Sequence, residues 1–363
     1  MEISSQRSDT AVVDGCPRLS ILEGTPIQAD LSAYAAIQQT IEVAMAADES
    51  GYYRLWVTEH HGSRTTASSA PAVLIAAVAA HTTNVRVGSG GVMLSNHPPL
   101  VVAEQFSTLE ALYPGRIDLG IGGASGAAGS VTVYEEALGR TPRSVSDYPR
   151  HIDDLVGFVS GTFPAGHRYA DIAVSPRVGA VPIFVLGSGE KGATLAAERG
   201  LPFAFAHHLG LAAPEPVLRR YRASFVPSAA RAEPYAMLSV AVVCASTDTG
   251  ADDIVFDLAL TEVRRRQALD HGAAPSGQRR PDQPVTSRER DLVRMLLATS
   301  SMVTGSPSTV ADRLIELADR TGVDELMVVP LEQDGQGRIR TVRMLAEGYR
   351  RAARPLQAAP APR

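Results

Sequence analysis

Cysteine is scarce. The chain has two, Cys16 and Cys244, far apart and in no metal-binding or redox spacing. That argues against a disulfide scaffold and fits a reducing compartment, so both read as plain thiols. Clustered basic residues are missing as well. With a net charge of −5 and a pI near 6.0, nothing recommends nucleic acid or an anionic membrane as a partner, which leaves a small molecule as the expected ligand. No basic stretch leading into an apolar core opens the sequence, so a cytoplasmic protein without a secretory signal is expected. The apolar run at 72–80 is hemmed in by Pro71 before it and by His81, Asn84 and Arg86 after it. It is too short to span a bilayer and reads as a buried helix. What the chain does have is core material: 45% hydrophobic against 20% charged residues, enough to bury a sizeable interior.

Short apolar, β-branched runs alternate with longer stretches of helical spacing, an order that predicts parallel strands joined by crossover helices. The strands fall at 18–23, 53–58, 85–94, 117–121, 181–186, 202–206, 237–244 and 325–329. Helices are expected at 31–50, 71–81, 100–112, 149–159, 191–199, 214–225, 252–268, 306–319 and 339–351. Gly51 closes the first helix and Pro71 opens the second. Residues 124–146, small and polar, are expected to form a mobile active-site loop, and 270–287, rich in Gly, Pro, Arg and Gln, an exposed insertion. Residues 1–17 read as a flexible N-terminus, 18–352 as one domain and 353–363 as a disordered tail. Eight strands alternating with helices favour a single closed (β/α)8 TIM barrel over an open doubly wound sheet.

Glu59, His60 and His61 follow directly on the second strand, and in a barrel the strand C-termini line the active-site mouth. An imidazole there can pass a proton near neutral pH; a satisfied structural histidine is the competing reading. Side-chain alternation keeps His60 and His61 from facing the same way, while Glu59 orients a neighbour or caps the next loop. Adjacent ligands on a strand diverge and no third ligand is recognisable nearby, so no metal site is expected. Gly88, Ser89, Gly90 and Gly91 end the third strand, where missing side chains would let a flat ring approach the backbone or would simply allow a bend. Gly122 and Gly123 end the fourth strand with the same two readings. Gly187, Ser188, Gly189 and Lys191 join the fifth strand to a helix and suit a phosphate, unless Ser188 is an ordinary N-cap. His207 and His208 follow the sixth strand; either could touch substrate, with at least one structural.

Several stretches taken together resemble the luciferase-like monooxygenase family, that of bacterial luciferase. They are 51–61 (GYYRLWVTEHH), 82–91 (TTNVRVGSGG) and 98–122, with PLVVAEQF and PGRIDLG; 186–188 and 201–206 extend the likeness. The resemblance implies a (β/α)8 barrel that takes reduced FMN from a separate flavin reductase and reacts it with O2. The resulting C4a-(hydro)peroxyflavin would hydroxylate, epoxidise or insert oxygen in Baeyer–Villiger fashion. By matching position, His60 is similar to the family's catalytic histidine, with Glu59 and His61 beside it. Ser89 and Gly90 resemble the segment beside the isoalloxazine, where relatives often have a non-proline cis peptide. Gly187, Ser188 and Gly189 resemble the FMN phosphate loop, and Arg150 falls where some relatives direct an arginine to that phosphate.

One departure matters. Many relatives have an arginine where this chain has Gly123, and its loss should weaken phosphate binding unless Lys191 or Arg150 substitutes. Two other readings stay open: a non-catalytic flavin-binding relative, and an F420-dependent oxidoreductase on the same barrel. The loops 62–69, 124–146 and 209–213 are small and apolar or neutral, so a bulky apolar substrate is expected, such as a polyketide or another secondary metabolite from antibiotic biosynthesis. The resemblance also implies a homodimer formed through the helices at 71–81 and 100–112.

Overall fold

Each strand pairs in parallel with its neighbours, and eight of them close a ring. They are β1 (Arg18–Glu23), β2 (Arg54–Val57), β3 (Arg86–Met93), β4 (Ile117–Gly122), β5 (Ile183–Gly187), β6 (Phe203–Ala206), β7 (Ala236–Cys244) and β9 (Glu325–Pro330). β1 to β7 pair in chain order, β7 then pairs with β9, and β9 returns to β1. The computed structural model describes residues 16–28, 31–123, 131–140, 146–270 and 284–353, and the expected TIM barrel is present within them.

The helices are α1 (Ala33–Glu49), α2 (Pro71–Ala80), α3 (Pro99–Leu112), α4 (Val131–Ala137), α5 (Tyr148–Ser160), α6 (Glu190–Glu198), α7 (Pro214–Ala223), α8 (Asp248–Asp270), α9 (Ser287–Ala298), α10 (Pro307–Thr321) and α11 (Gly335–Ala352). Local chemistry sets many of their ends. Proline opens α2, α3, α5, α7 and α10, where its missing N–H costs nothing. Ser32 and Ser306 cap α1 and α10 through their hydroxyls, and left-handed Gly161 and Gly322 end α5 and α10.

Four expectations need correction. A helix, α4, forms inside the stretch expected to be a loop; residues 124–130 and 141–145 of that stretch lie outside the described residues. α9 begins inside the expected insertion, because Thr286 and Glu289 form a reciprocal capping box; residues 271–283 lie outside the description. A ninth strand, β8 (Val303–Gly305), pairs along Val242–Cys244 of β7 and lies outside the ring. Pro17 and Ala353 belong to the fold and not to the ends: the Tyr349 hydroxyl donates to Pro17 O at 2.9 Å, and Ala353 is buried and closes α11. The rest of both termini, 1–15 and 354–363, lies outside the described residues.

Strand alternation produces two cores. One set of side chains packs outward against the helices, and the other fills the ring with Leu22, Trp56, Phe184, Ala204, Met237 and Met327. Trp56 meets Phe184 edge-on, with centroids 5.0 Å apart. Glycine accommodates this bulk on the adjacent strands: a Cβ on Gly90 would come within 2.4 Å of Leu22 Cδ1, and one on Gly120 within 2.1 Å of Ser89 O. Below the apolar layer lies an ion cluster. Arg54 grips Glu325 with Nε at 2.7 Å and Nη2 at 3.0 Å, and Asp118 with Nη1 at 2.7 Å. Arg86 reaches the second oxygen of Asp118, Trp56 Nε1 donates to Asp118 at 3.2 Å, and the Tyr235 hydroxyl donates to Glu325 at 2.6 Å.

Replacing Arg54 by methionine keeps the length of the side chain but leaves two buried carboxylates short of a cation. Urea denaturation should show a loss of about 3–5 kcal/mol; a loss under about 1 kcal/mol would show that the ion cluster does not hold the ring together.

Candidate active site

Alternation along β2 decides which way each following group points. Arg54 and Trp56 face the barrel interior, while Leu55 and Val57 face the helices. The backbone stays tethered beyond the strand: the Thr58 amide donates to Glu23 O at 3.2 Å and the His60 amide to Ser68 O at 2.7 Å. Thr58 and His60 therefore continue the inward set, and Glu59 and His61 the outward one.

His60 Nδ1 lies 3.1 Å from Thr58 Oγ1, which lies 2.8 Å from Ser68 Oγ. The Ser68 hydroxyl donates to the Thr58 carbonyl at 2.5 Å, and a hydroxyl has one proton to give. Thr58 must then donate to Ser68, and the imidazole must donate at Nδ1. His60 is held with its proton on Nδ1 and a lone pair at Nε2. Burial pulls its pKa below the usual 6.5; Glu59 opposes that and His61 adds to it. Burial thus favours the neutral ring.

Glu59 is a hub and not a partner of His60. Its Oε1 accepts from Nε2 of His61 at 2.7 Å and from Nε2 of His97 at 2.8 Å, and its Oε2 accepts the Met93 amide at 3.0 Å. Burial would raise the Glu59 pKa, but the bond from His97, with those from His61 and the Met93 amide, lowers it below 4.5. A carboxylate only accepts, so both rings carry their proton on Nε2. The structure thus separates the three sequence candidates, with Glu59 and His61 on one side and His60 on the other. His97, which the sequence reading missed, completes a group of three whose ligand atoms lie within 4.8 Å of one another. Its signal was its place at the end of the turn after β3, close in space to the end of β2 but far from it in sequence.

The β3 end holds a cis peptide at Gly90–Gly91 and a register shift between Ser89 and Val92; the bond lies one residue beyond the Ser89–Gly90 pair to which the resemblance pointed. Ser89 does not present its hydroxyl to the mouth; fully buried, it donates to Gly120 O at 2.8 Å. Gly122 lies against Met93, and a Cβ on Gly123 would sit 3.0 Å from the Tyr148 ring. The next β-to-α connection is Gly187, Ser188 and Gly189. Gly189 and not Ser188 is the N-cap of α6, and no side chain caps that end. Lys191 is exposed in the first turn, and Glu190 beside it pairs with Arg220 at 2.9 Å. Arg150 is exposed and bound to Asp147 at 2.9 Å, so the structure gives it an acidic partner on its own helix. Over the mouth, the Tyr134 hydroxyl of α4 reaches Gly62 O at 3.4 Å, and Gly62 is left-handed, at φ 64°.

Residues 18–325 match the family described as luciferase-like monooxygenase. The chain belongs to that family. Its luciferase-like monooxygenase relative in Escherichia coli (strain K12) is 36% identical over 322 residues, 88% of this chain and 93% of that protein. The crystal structure of apo-MsnO8 is also 36% identical, covers 92% of this chain and 98% of its own, and has a TM-score of 0.79. Two more distant structures share the fold alone. One is the oxygenating constituent of 3,6-diketocamphane monooxygenase from Pseudomonas putida in complex with FMN, at 20% identity, TM-score 0.67 and coverage of 92% and 98%. The other is an F420-dependent secondary alcohol dehydrogenase with an F420-acetone adduct, at 15% identity, TM-score 0.59 and coverage of 94% and 100%.

The family's barrel mouth here suits a phosphorylated cofactor. The uncapped N-terminus of α6 offers free amides to an anion. Tyr148 Oη, buried beside Gly123, has no hydrogen-bond partner among the described residues. A cavity of about 270 Å³ lined by Phe158, Ile172 and Arg177 lies at the C-terminal end of α5, away from this mouth.

The lowered pKa of Glu59 has a sign. The ionised hub stabilises the fold fully above pH 4.5, the usual value, and that contribution fades as the pH falls through its lower folded value. Glu59→Gln should be less stable than the wild type by about 1–3 kcal/mol at pH 6, with the gap closing in acid. An unchanged gap at every pH, measured by denaturant titration, would show that the charge contributes nothing.

Proposed function

We propose that the protein is a two-component monooxygenase that takes reduced FMN from a separate reductase and uses O2 to oxygenate an apolar organic substrate. The observation that carries the reading is His60: one neutral imidazole, its tautomer fixed, aimed into the mouth of a barrel that also offers an uncapped helix end. Amides at Gly189 and Glu190, the Ser188 hydroxyl and the Lys191 ammonium would hold the phosphate, and the β3 end at Gly90 and Gly91 would lie beside the ring. When bound, reduced flavin supplies the two electrons with which one atom of O2 enters the substrate and the other leaves as water. His60 accepts a proton at Nε2 and returns it there, while Thr58 and Ser68 keep the Nδ1 proton in place. With Gly123 in place of an arginine, Lys191 is the cation left to the phosphate.

The substrate reading rests on Leu209 and Leu211, exposed immediately after the β6 end, where an apolar molecule would dock. Exposed Val73 on α2 and Val101 and Leu112 on α3 support pairing of two copies through those helices. An F420-dependent hydride transfer is the second reading, favoured by the fold shared with the F420-dependent dehydrogenase.

Two measurements test the proposal. Reduced FMN and O2 with a candidate substrate should give oxygenated product, whose rate of formation His60→Ala lowers about 10²–10⁴-fold; turnover with F420 in the absence of O2 would overturn it. Lys191→Ala should weaken reduced-FMN binding about tenfold; unchanged affinity would remove Lys191 from the phosphate site.

A further inference from the structure

A second imidazole stands opposite the first. In the eight-membered ring β2 and β6 are four strands apart in either direction, so the groups that leave their ends face each other across the mouth. His208 lies in a short 3-10 turn, His207–Leu209, that follows β6, and its Nδ1 lies 2.7 Å from Oγ of Ser239, which has the parity of inward-facing Met237 on β7. The Ser239 hydroxyl donates to Phe205 O at 3.2 Å. With the single hydroxyl proton assigned to the carbonyl, as for Ser68, the imidazole is the donor. His208 therefore keeps its proton on Nδ1 and turns a lone pair outward at Nε2. No partner for either Nε2 is found among the described residues.

Two lone pairs facing one space reject an anion and accept a hydrogen-bond donor. We propose that His208 Nε2 is a substrate-binding acceptor, and that the substrate is a neutral, mostly apolar molecule with an acidic hydroxyl, a phenol or enol, which donates to His208 while His60 faces the cofactor. This assignment rests on the mouth being the reaction site. No bond breaks in the contact: the hydroxyl proton stays on the substrate, shared with Nε2. Drawing on that proton raises electron density at the ortho and para carbons of a phenol, or at the α carbon of an enol, where an electrophilic oxygen is received. Burial above all, and then the neighbouring imidazoles of His207 and His60, push the His208 pKa down to about 4, so the ring remains an acceptor throughout the neutral range. Exposed Leu209 and Leu211 follow it directly and suit the apolar remainder of such a molecule.

The test needs no flavin, so its outcome is separate from oxygenation. Full-length protein labelled with 15N-histidine is examined by long-range proton–nitrogen correlation at neutral pH, with His60 and His208 assigned through His60→Gln and His208→Gln. Both rings should show the Nδ1–H pattern, and Ser239→Ala should make His208 a mixture of tautomers; an Nε2–H pattern for His208 in the wild type overturns the proposal. Titration with 4-propylphenol should shift the His208 Nε2 resonance, and the phenol should bind about tenfold tighter than 4-propylanisole, which cannot donate. That preference should vanish in His208→Phe. Equal binding of phenol and ether to the wild type, or no response at His208, sinks the assignment even if oxygenated product is found.

Discussion

The barrel depends on one guanidinium. Arg54, on β2, binds Asp118 on β4 and Glu325 on β9 inside the ring, so three strands that are not all neighbours are tied at one depth. Burial alone would lower the arginine's pKa, but Asp118 and Glu325 more than offset it. Burial likewise works against the Asp118 carboxylate until Arg54 and Arg86 bring its pKa down. Two cations meet two carboxylates there, and Tyr235 and Trp56 supply further hydrogen bonds to the carboxylates. That near-complete satisfaction is what makes buried charge tolerable. The same strand sets the site: with Arg54 fixed inward, parity sends Trp56, Thr58 and His60 inward and Glu59 and His61 outward. An anchor at the foot of β2 thus decides which histidine reaches the mouth.

Much of this was legible in the chain. Eight apolar runs at regular spacing gave every ring strand to within a few residues, because a strand buried on both faces must be apolar along its length. The divergence of His60 from His61 followed from a period of two. The helix α9 was missed, although Thr286 and Glu289 stand three apart as a capping box does, because the Gly- and Pro-rich stretch before them hid it. α4 was missed as well: Val131, Thr132 and Val133 are β-branched, and short polar surroundings carry no helical stripe.

The parts of the site that sequence reasoning left undecided are those made by contact across the fold. Glu59 became a hub only once His97, thirty-eight positions on, came alongside it. The β3 and β4 glycines allowed two readings, ligand approach or backbone packing. At Gly90 and Gly120 the Cβ directions are taken by Leu22 and by the Ser89 carbonyl, so packing alone already requires glycine there. Gly123 has the same cause in part, because the Tyr148 ring lies where a side chain would begin. A side chain at that position would require the Tyr148 ring to give by a few tenths of an ångström.

Both mouth imidazoles are held by one device, built independently on opposite sides of the ring. On β2 a threonine stands between the ring and a serine whose proton belongs to a backbone carbonyl; on β7 a serine does both jobs. A hydroxyl can donate once, so committing that proton to a carbonyl converts it into an acceptor and dictates the tautomer of whatever ring it meets. Lysine or arginine in those places would have fixed a charge instead. Hydroxyls fix the direction of a neutral ring's lone pair without charging the mouth, an arrangement that suits the apolar, singly polar ligand proposed above.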